Sequence, residues 1–407
     1  MRFSIIIPTF KRAQLLGAAV RAALAQTYAD REILVIDDGS PDDTPSVAAA
    51  FGDAIRYFRQ ENKGKSAALN RGILASEGDV IIVLDDDDLF PPWTVAKHAR
   101  ALKQNAGADF SYGRFVRFRG DGLPSPRDLQ DEEIVPTRDP RRLVVKLMEN
   151  CFLPNPAWAV RRTAQLQAGL YDESMYYSHD YDMILRLARR NEGAFVDEHV
   201  LYQRKHLSQR GPSAEETFML DTVGKWVKYD ALLFRRLNQD WSLSDFRPFL
   251  GEGPAMRQEA LALLQKGVIL FQRKVYDGAA RALAEYRRHV DGRPPDRAEL
   301  RIAAGLLGCR YGIADIVSRE SECDDVVNVF RGGHWPLSLR AAFASQVRWR
   351  MRAALTSGDA GYAFKLASFS RRMFGFSATV AALGSHYNSR SFQWVLPNDK
   401  ILVSPLP

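Results

Sequence analysis

Cysteine is scarce in this chain: Cys151, Cys309 and Cys323 are the only three in 407 residues, an odd number at wide spacings with no CxxC pair. That excludes a disulfide framework and a thiolate zinc site, and it suits a reducing cytoplasm. Long apolar runs are missing too. No stretch of about 18 uncharged apolar residues occurs, so no helix is expected to span a bilayer. The opening MRFSIIIPTFKR reaches charge too soon after Pro8 for the apolar core of a signal peptide. Acid is nearly absent from the C-terminal stretch, where ten basic residues from Arg331 onward face only Asp359 and Asp399.

What is present builds real cores. The chain is 46% hydrophobic, 11% aromatic and 26% charged, far from a disordered composition, and its length exceeds what one compact core usually holds. The formal charge of +7 is unevenly spread: residues 1–213 balance, and the whole basic excess lies beyond them. In its last part arginines alternate with Trp335, Phe343, Trp349, Phe364, Phe369 and Phe374. Such a segment suits peripheral contact with an anionic membrane surface through 331–390, an ordinary solvated helical face being the alternative. Nucleic acid is not expected as a partner, because the first half is charge-neutral and carries its acids at strand ends.

Short apolar runs alternate with helical patterns over the first 110 residues. Phe3–Pro8, Glu32–Asp37, Ile55–Arg59 and Asp79–Leu84 read as strands. Ala13–Gln26, Asp43–Phe51 and Ser66–Ser76 read as helices between them, each opening on cap or turn residues. This rhythm predicts a parallel sheet flanked by helices. Phe110–Arg119 reads as an edge strand. Pro140–Asn150 and Asp180–Arg190 read as helices, and the block 140–206 as completing the same domain. The run LSQRGPS at 207–213 marks a boundary; 214–390 reads as a mostly helical domain and 391–407 as an extended tail.

Four consecutive acids, Asp85 to Asp88, follow the β-branched run DVIIVL and so emerge at a buried strand's carboxyl end, where open α/β sheets bind ligands. Concentrated carboxylates suit an Mg2+ or Mn2+ ion that bridges to phosphate. The second strand ends in Asp37-Asp38-Gly39-Ser40, and the third leads into NKGKSAALNRG at 62–72. With SIIIPTF at the start and LDDDDLFPP at 84–92, the chain resembles the family 2 glycosyltransferases of GT-A fold over residues 3 to about 206. The resemblance implies a Rossmann-like, mostly parallel sheet and inverting, metal-dependent transfer from a nucleotide-diphosphate sugar, with UDP the expected nucleotide. It implies a saccharide or lipid-linked saccharide acceptor, in surface polysaccharide synthesis.

Residue by residue, the resemblance places Pro8, Thr9 and Phe10 beside the base, and Asp37, Asp38 and Asp85 in the nucleotide pocket. The DxD signature falls on Asp85-Asp86-Asp87, because Pro92 then stands where the family's pattern has its proline. Asp87 becomes the leading metal ligand with Asp85 beside it, and Asp86 and Asp88 offer the same group one residue away. Lys63 and Lys65, before a helix, are placed to meet phosphate. Ser178-His179-Asp180-Tyr181-Asp182 matches the family's base-bearing helix start, so Asp180 is the expected base, with His179 standing where the family has Glu. Asp182 and Arg186, spaced i and i+4, are expected to pair with each other. Leu201-Tyr-Gln-Arg204-Lys205-His206 resembles the closing strand, with His206 a candidate for metal or diphosphate and Arg204 for diphosphate. Asn155 and Trp158 flank the acceptor by position. Two other classes compete. A sugar-nucleotide pyrophosphorylase needs a glycine-rich loop after its first strand, and TFKRAQLL has no glycine. A binding module without catalysis is disfavoured by the acids Asp85, Asp87 and Asp180.

Overall fold

The computed structural model describes residues 1–120, 124–125, 127–132, 135–205, 222–247, 254–290, 293–309, 313, 316–317 and 323–384. The chain divides into two compact units, Met1–Tyr229 and Asp230–Pro407. The expected boundary at 207–213 and the tail 391–407 lie outside the described residues.

Unit one is built on an eight-stranded sheet. Strands β1 (Phe3–Thr9), β2 (Arg31–Asp37), β3 (Arg56–Arg59) and β4 (Val80–Val83) run parallel in the order β3-β2-β1-β4, with Ile5 opposite both Ile33 and Ile82. Their apolar residues are continuous rather than alternating because helices cover both faces of the sheet. β1 and β4 are buried throughout. Helix α1 (Ala13–Leu24) follows β1, α2 (Thr44–Ala49) follows β2, α3 (Lys65–Ala75) follows β3, and α4 (Thr94–Gln104) lies beyond the acid turn. α3 comes unusually close to the sheet at Gly72, where an added Cβ would stand 2.5 Å from Ile6 Cγ2.

The sheet continues through β7 (Trp158–Arg161), antiparallel to β4, and β5 (Ala108–Phe118), antiparallel to β7. β8 (Glu192–Arg204) runs parallel along the whole of β5, and β6 (Leu129–Glu132) adds to the end of β5 on the side it shares with β7. β5 is therefore interior, not the edge strand its sequence suggests: it pairs on both sides, and one partner comes from about 80 residues further along. Helices α5 (Pro140–Glu149), α6 (Arg162–Ala168) and α7 (His179–Arg190) complete this unit.

This topology decides where the chemistry sits. β1, β2, β4, β5 and β8 point the same way, and β7 points the opposite way. Their carboxyl ends and the start of β7 share one edge, which collects Thr9, Asp37, the acid turn, Arg204 and the segment Asn155–Trp158.

Among the described residues, every element from Thr222 onward is helical. In unit two, Ala255–Gln272 and Tyr276–Val290 form a helical hairpin, and a fully buried Arg273–Asp230 ion pair at 3.1 Å ties its turn. A second aromatic core joins Phe330 to Trp335, Phe343 and Phe374 at ring separations of 5.1, 4.9 and 5.1 Å. Several aromatic residues of the basic segment are thus core. Phe364 and Phe376, 77% and 70% exposed, are not. Among the described residues no helix is long and apolar enough to cross a membrane.

Candidate active site

The acid turn begins where β4 ends. Leu84 still bonds into the sheet through its N–H to Ile6 O (2.9 Å), and the Asp88 N–H closes a turn on Asp85 O (3.0 Å). Asp85, Asp87 and Asp88 each bring a carboxylate oxygen within 4.8 Å of the others. The turn is braced from β8: Leu89 and Tyr202 exchange backbone bonds at 3.0 and 2.9 Å. Arg204 donates its backbone N–H to Asp88 Oδ1 and its Nε–H to Asp87 O, both at 2.8 Å, with its guanidinium 4.6 Å over the Phe118 ring. Arg204 therefore holds the turn's shape. His206, expected as a metal or diphosphate ligand, lies outside the described residues.

Two cations stand on these acids. Lys65, the first residue of α3, places Nζ 2.7 Å from Asp85 Oδ1. Burial pulls the Lys65 pKa down, but Asp85, then Asp87 and Asp180, hold it above the usual lysine value. Arg12, just before α1, reaches Asp86 Oδ1 at 3.0 Å and Asp87 Oδ2 at 2.6 Å. Burial, with Asp87 and Asp85 nearby, pushes Asp86 up to about 6 even though Arg12 opposes the shift. The motif comparison did not single out Arg12. The signal for it was its position, a basic residue just beyond β1 on the strand edge that carries the acids.

The two acids after β2 are wired inward. Asp37 accepts from Tyr57 Oη at 2.5 Å and from the Ser40 N–H at 2.8 Å, with Arg59 Nε at 3.6 Å. Asp38 accepts from Gln60 Nε2 (2.8 Å) and from the backbone N–H groups of Lys63 (3.0 Å) and Gly64 (2.8 Å). Gly39 permits this contact: its φ is +81°, and a Cβ there would stand 3.0 Å from Asn62 N and Gln60 O. The DDGS and NKGK motifs are thus one hydrogen-bonded unit that aims the start of α3. The Asp38 N–H bonds Thr9 O (2.9 Å), which joins the unit to β1; Pro8 and Thr9 are buried and Phe10 half-buried.

Opposite the acid turn, α3 also positions the expected base. Asn70 donates to Tyr171 O (3.0 Å) and Glu173 Oε1 (2.9 Å) and accepts from the Tyr171 N–H (2.8 Å), which pins the segment leading into α7. Asp180 lies in the first turn of α7, where carboxylates are favoured by the helix dipole. Asp182 and Arg186 form the expected i,i+4 pair at 2.7 Å, and Arg186 also bonds Ala168 O and Leu170 O. Tyr171 Oη donates to Asn155 Oδ1 at 2.8 Å, and its ring lies 6.1 Å from that of His179. Burial holds the His179 pKa below the usual histidine value against the pull of Asp180. Trp158 is buried at the start of β7. Sequence reasoning placed Asn70 and Tyr171 inside motifs, NKGKSAALNRG and GLYDE, without giving either a role of its own; their contacts join segments about 100 positions apart.

The glycosyl transferase family 2 profile matches residues 4–165. An uncharacterized glycosyltransferase of Rickettsia typhi is 30% identical over 284 residues, covering 65% of this chain and 86% of the relative. The chain belongs to family 2 of the glycosyltransferases. It is an enzyme of that class with a GT-A catalytic unit, as the sequence motifs led one to expect. A second relative, the succinoglycan biosynthesis protein ExoU of Rhizobium meliloti, is 35% identical over 200 residues, covering 45% of this chain and 55% of the relative. A third, from Campylobacter jejuni, is named GalNAc(5)-diNAcBac-PP-undecaprenol beta-1,3-glucosyltransferase and is 28% identical over 207 residues, covering 47% of this chain and 66% of the relative. Among solved structures, Staphylococcus aureus TarS 1–349 with UDP-GlcNAc covers 91% of this chain and 92% of its own at 14% identity and a TM-score of 0.49, a likeness too distant to transfer a ligand.

Proposed function

We propose that this glycosyltransferase inverts configuration, uses a divalent cation, and moves a sugar from a nucleotide-diphosphate donor, UDP-linked, to a saccharide or lipid-linked saccharide acceptor in surface polysaccharide synthesis. The observation that carries the reading is geometric: Asp85, Asp87 and Asp88 gather carboxylate oxygens within 4.8 Å of one another at the carboxyl edge of the sheet, with Lys65 Nζ 2.7 Å from Asp85 Oδ1. The names of the rhizobial and Campylobacter relatives support the acceptor class.

The three clustered carboxylates fit a hard cation, since each offers an oxygen to a common point. Asp85 and Asp87 would hold Mn2+ or Mg2+, which when bound neutralises charge on the leaving diphosphate. Asp180 takes the proton of the acceptor hydroxyl as its oxygen attacks the anomeric carbon from the face opposite the diphosphate. The bond from that carbon to the diphosphate oxygen breaks, and the nucleotide diphosphate departs with the electron pair. Lys65 and Lys63 offer that anion their charge, and the Asp38-organised loop with Pro8, Thr9 and Phe10 borders the base.

A screen of nucleotide-sugar hydrolysis with and without Mn2+ tests donor and metal together. Cation-dependent turnover of one donor, lost in Asp87→Ala, is the expected result. Equal turnover in chelator, unchanged by Asp87→Ala, would remove the metal from the reading.

A second reading concerns unit two, where contact with anionic lipid through 331–390 is supported by exposed Phe364, Phe376 and Leu355 and by exposed Arg348, Arg352, Lys365 and Arg371.

A further inference from the structure

Asp87, the carboxylate on which the metal reading most depends, is engaged by a cation of the chain itself. Arg12 Nη1 bridges it at 2.6 Å and Asp86 at 3.0 Å, with the arginine side chain only 21% exposed. The neighbouring acids of the turn are engaged as well, Asp85 by Lys65 at 2.7 Å and Asp88 by the Arg204 N–H at 2.8 Å. Within the turn the carboxylates are thus compensated from inside the protein, which explains how four successive acids coexist at a buried strand end without mutual repulsion unfolding it.

The two positive partners are not equivalent. Lys65 is 38% exposed, sits on a flexible stem and pairs with one carboxylate, Asp85. Arg12 is largely enclosed and contacts two carboxylates through one nitrogen. A divalent cation takes carboxylate oxygen at about 2.0–2.6 Å, close to where this guanidinium stands on Asp87, and the two like charges repel at that range.

Resting on the metal-dependent reading above, we infer that Arg12 is an exchange cation: it holds Asp86 and Asp87 and has to release Asp87 before a divalent cation binds there. A donor diphosphate offers the released guanidinium a second anionic partner. Cation and nucleotide then assist each other's binding, and by reciprocity to the same extent. Arg12 thereby sets cation affinity without itself being a metal ligand.

The test is Mn2+ binding, read by the electron paramagnetic resonance signal of the free ion, on the full chain with and without UDP. Wild type is compared with Arg12→Met, Arg12→Gln and the charge-keeping Arg12→Lys. Without UDP, the Met and Gln variants are expected to bind Mn2+ at least about tenfold tighter than wild type, as loss of one close competing charge pair allows. The Lys variant should stay near wild type. A merely supporting role for Arg12 would weaken Mn2+ binding on its removal. Gln retains amide donors for both carboxylates, so it decides the matter if Met fails to fold. Unchanged or weaker Mn2+ binding by a folded neutral variant, while wild type binds Mn2+ with UDP, overturns the exchange and leaves the metal-dependent reading standing. Wild type that binds no Mn2+ even with UDP overturns both.

Discussion

At the scale of single residues, Asp180 and His98 show two opposite uses of a titratable group. Asp180 sits in the first turn of α7, and in the proposed reaction it meets the acceptor rather than the nucleotide. Asp180→Asn should therefore lower turnover by roughly 10²–10⁴-fold, the usual contribution of a general base, while calorimetry with UDP shows unchanged affinity. Wild-type turnover would move the base elsewhere, with Asp182 next in line. His98 serves stability instead. It is buried on α4 with Nδ1 2.8 Å from Ser111 Oγ, and burial pushes its pKa down to about 3. The unfolded chain regains the ordinary value of 6.5 and binds the proton that the folded chain refuses. Stability from this group is complete above pH 6.5 and falls as pH drops toward 3, by about 2 kcal/mol between pH 7 and pH 5. Melting temperatures at those two pH values should differ less in His98→Gln than in wild type. An equal drop in both would assign the acid sensitivity to other groups.

Among the elements, α3 has the most work. Its first residue meets Asp85, Asn70 fixes the approach to α7, and the preceding loop is held by Asp38. All of this depends on the distance between α3 and the sheet, which Gly72 sets against Ile6. Ile6 is a buried β-branched residue in a central strand and cannot yield easily. Gly72→Ala should cost about 1–3 kcal/mol through overpacking, seen as a lower Tm, and should reduce turnover by displacing Lys65 and the 171–180 segment together. A variant with wild-type Tm would show that the helix can lift without penalty. The motif NKGKSAALNRG marked α3 as important, but its reach across about 100 residues to Tyr171 was legible only in three dimensions. The same holds for β5, whose local pattern could not announce that β8 would cover its second edge.

At the scale of the whole molecule, the basic C-terminal segment separates into two populations. Trp335, Phe343, Phe369 and Phe374 are buried, so most of the aromatic interleaving is core, while Phe364 and Phe376 stay out among arginines. Each basic residue near an anionic surface contributes on the order of 1 kcal/mol, and an exposed phenylalanine adds apolar insertion. The full chain should co-sediment with phosphatidylserine-containing vesicles and not with phosphatidylcholine vesicles, and release as salt is raised. Phe364→Ser combined with Arg371→Gln should weaken the binding. Equal partitioning onto both vesicle types, or onto neither, would leave the segment as a structural or oligomerisation element.

The sequence by itself determined the parallel core of unit one, because buried strands must be written as unbroken β-branched runs, and it determined which edge carries the acids, because motifs follow directly on those runs. It also determined the Asp182–Arg186 pair, whose partners are one helical turn apart. Only the tertiary structure decided which cation each acid meets. Arg12 and Asp87 are 75 positions apart in sequence and 2.6 Å apart in space, and nothing in either residue's local pattern encodes that distance. Local periodicity specifies an element and its buried face. Which charges confront one another depends on strand order, and strand order is fixed by long-range pairing.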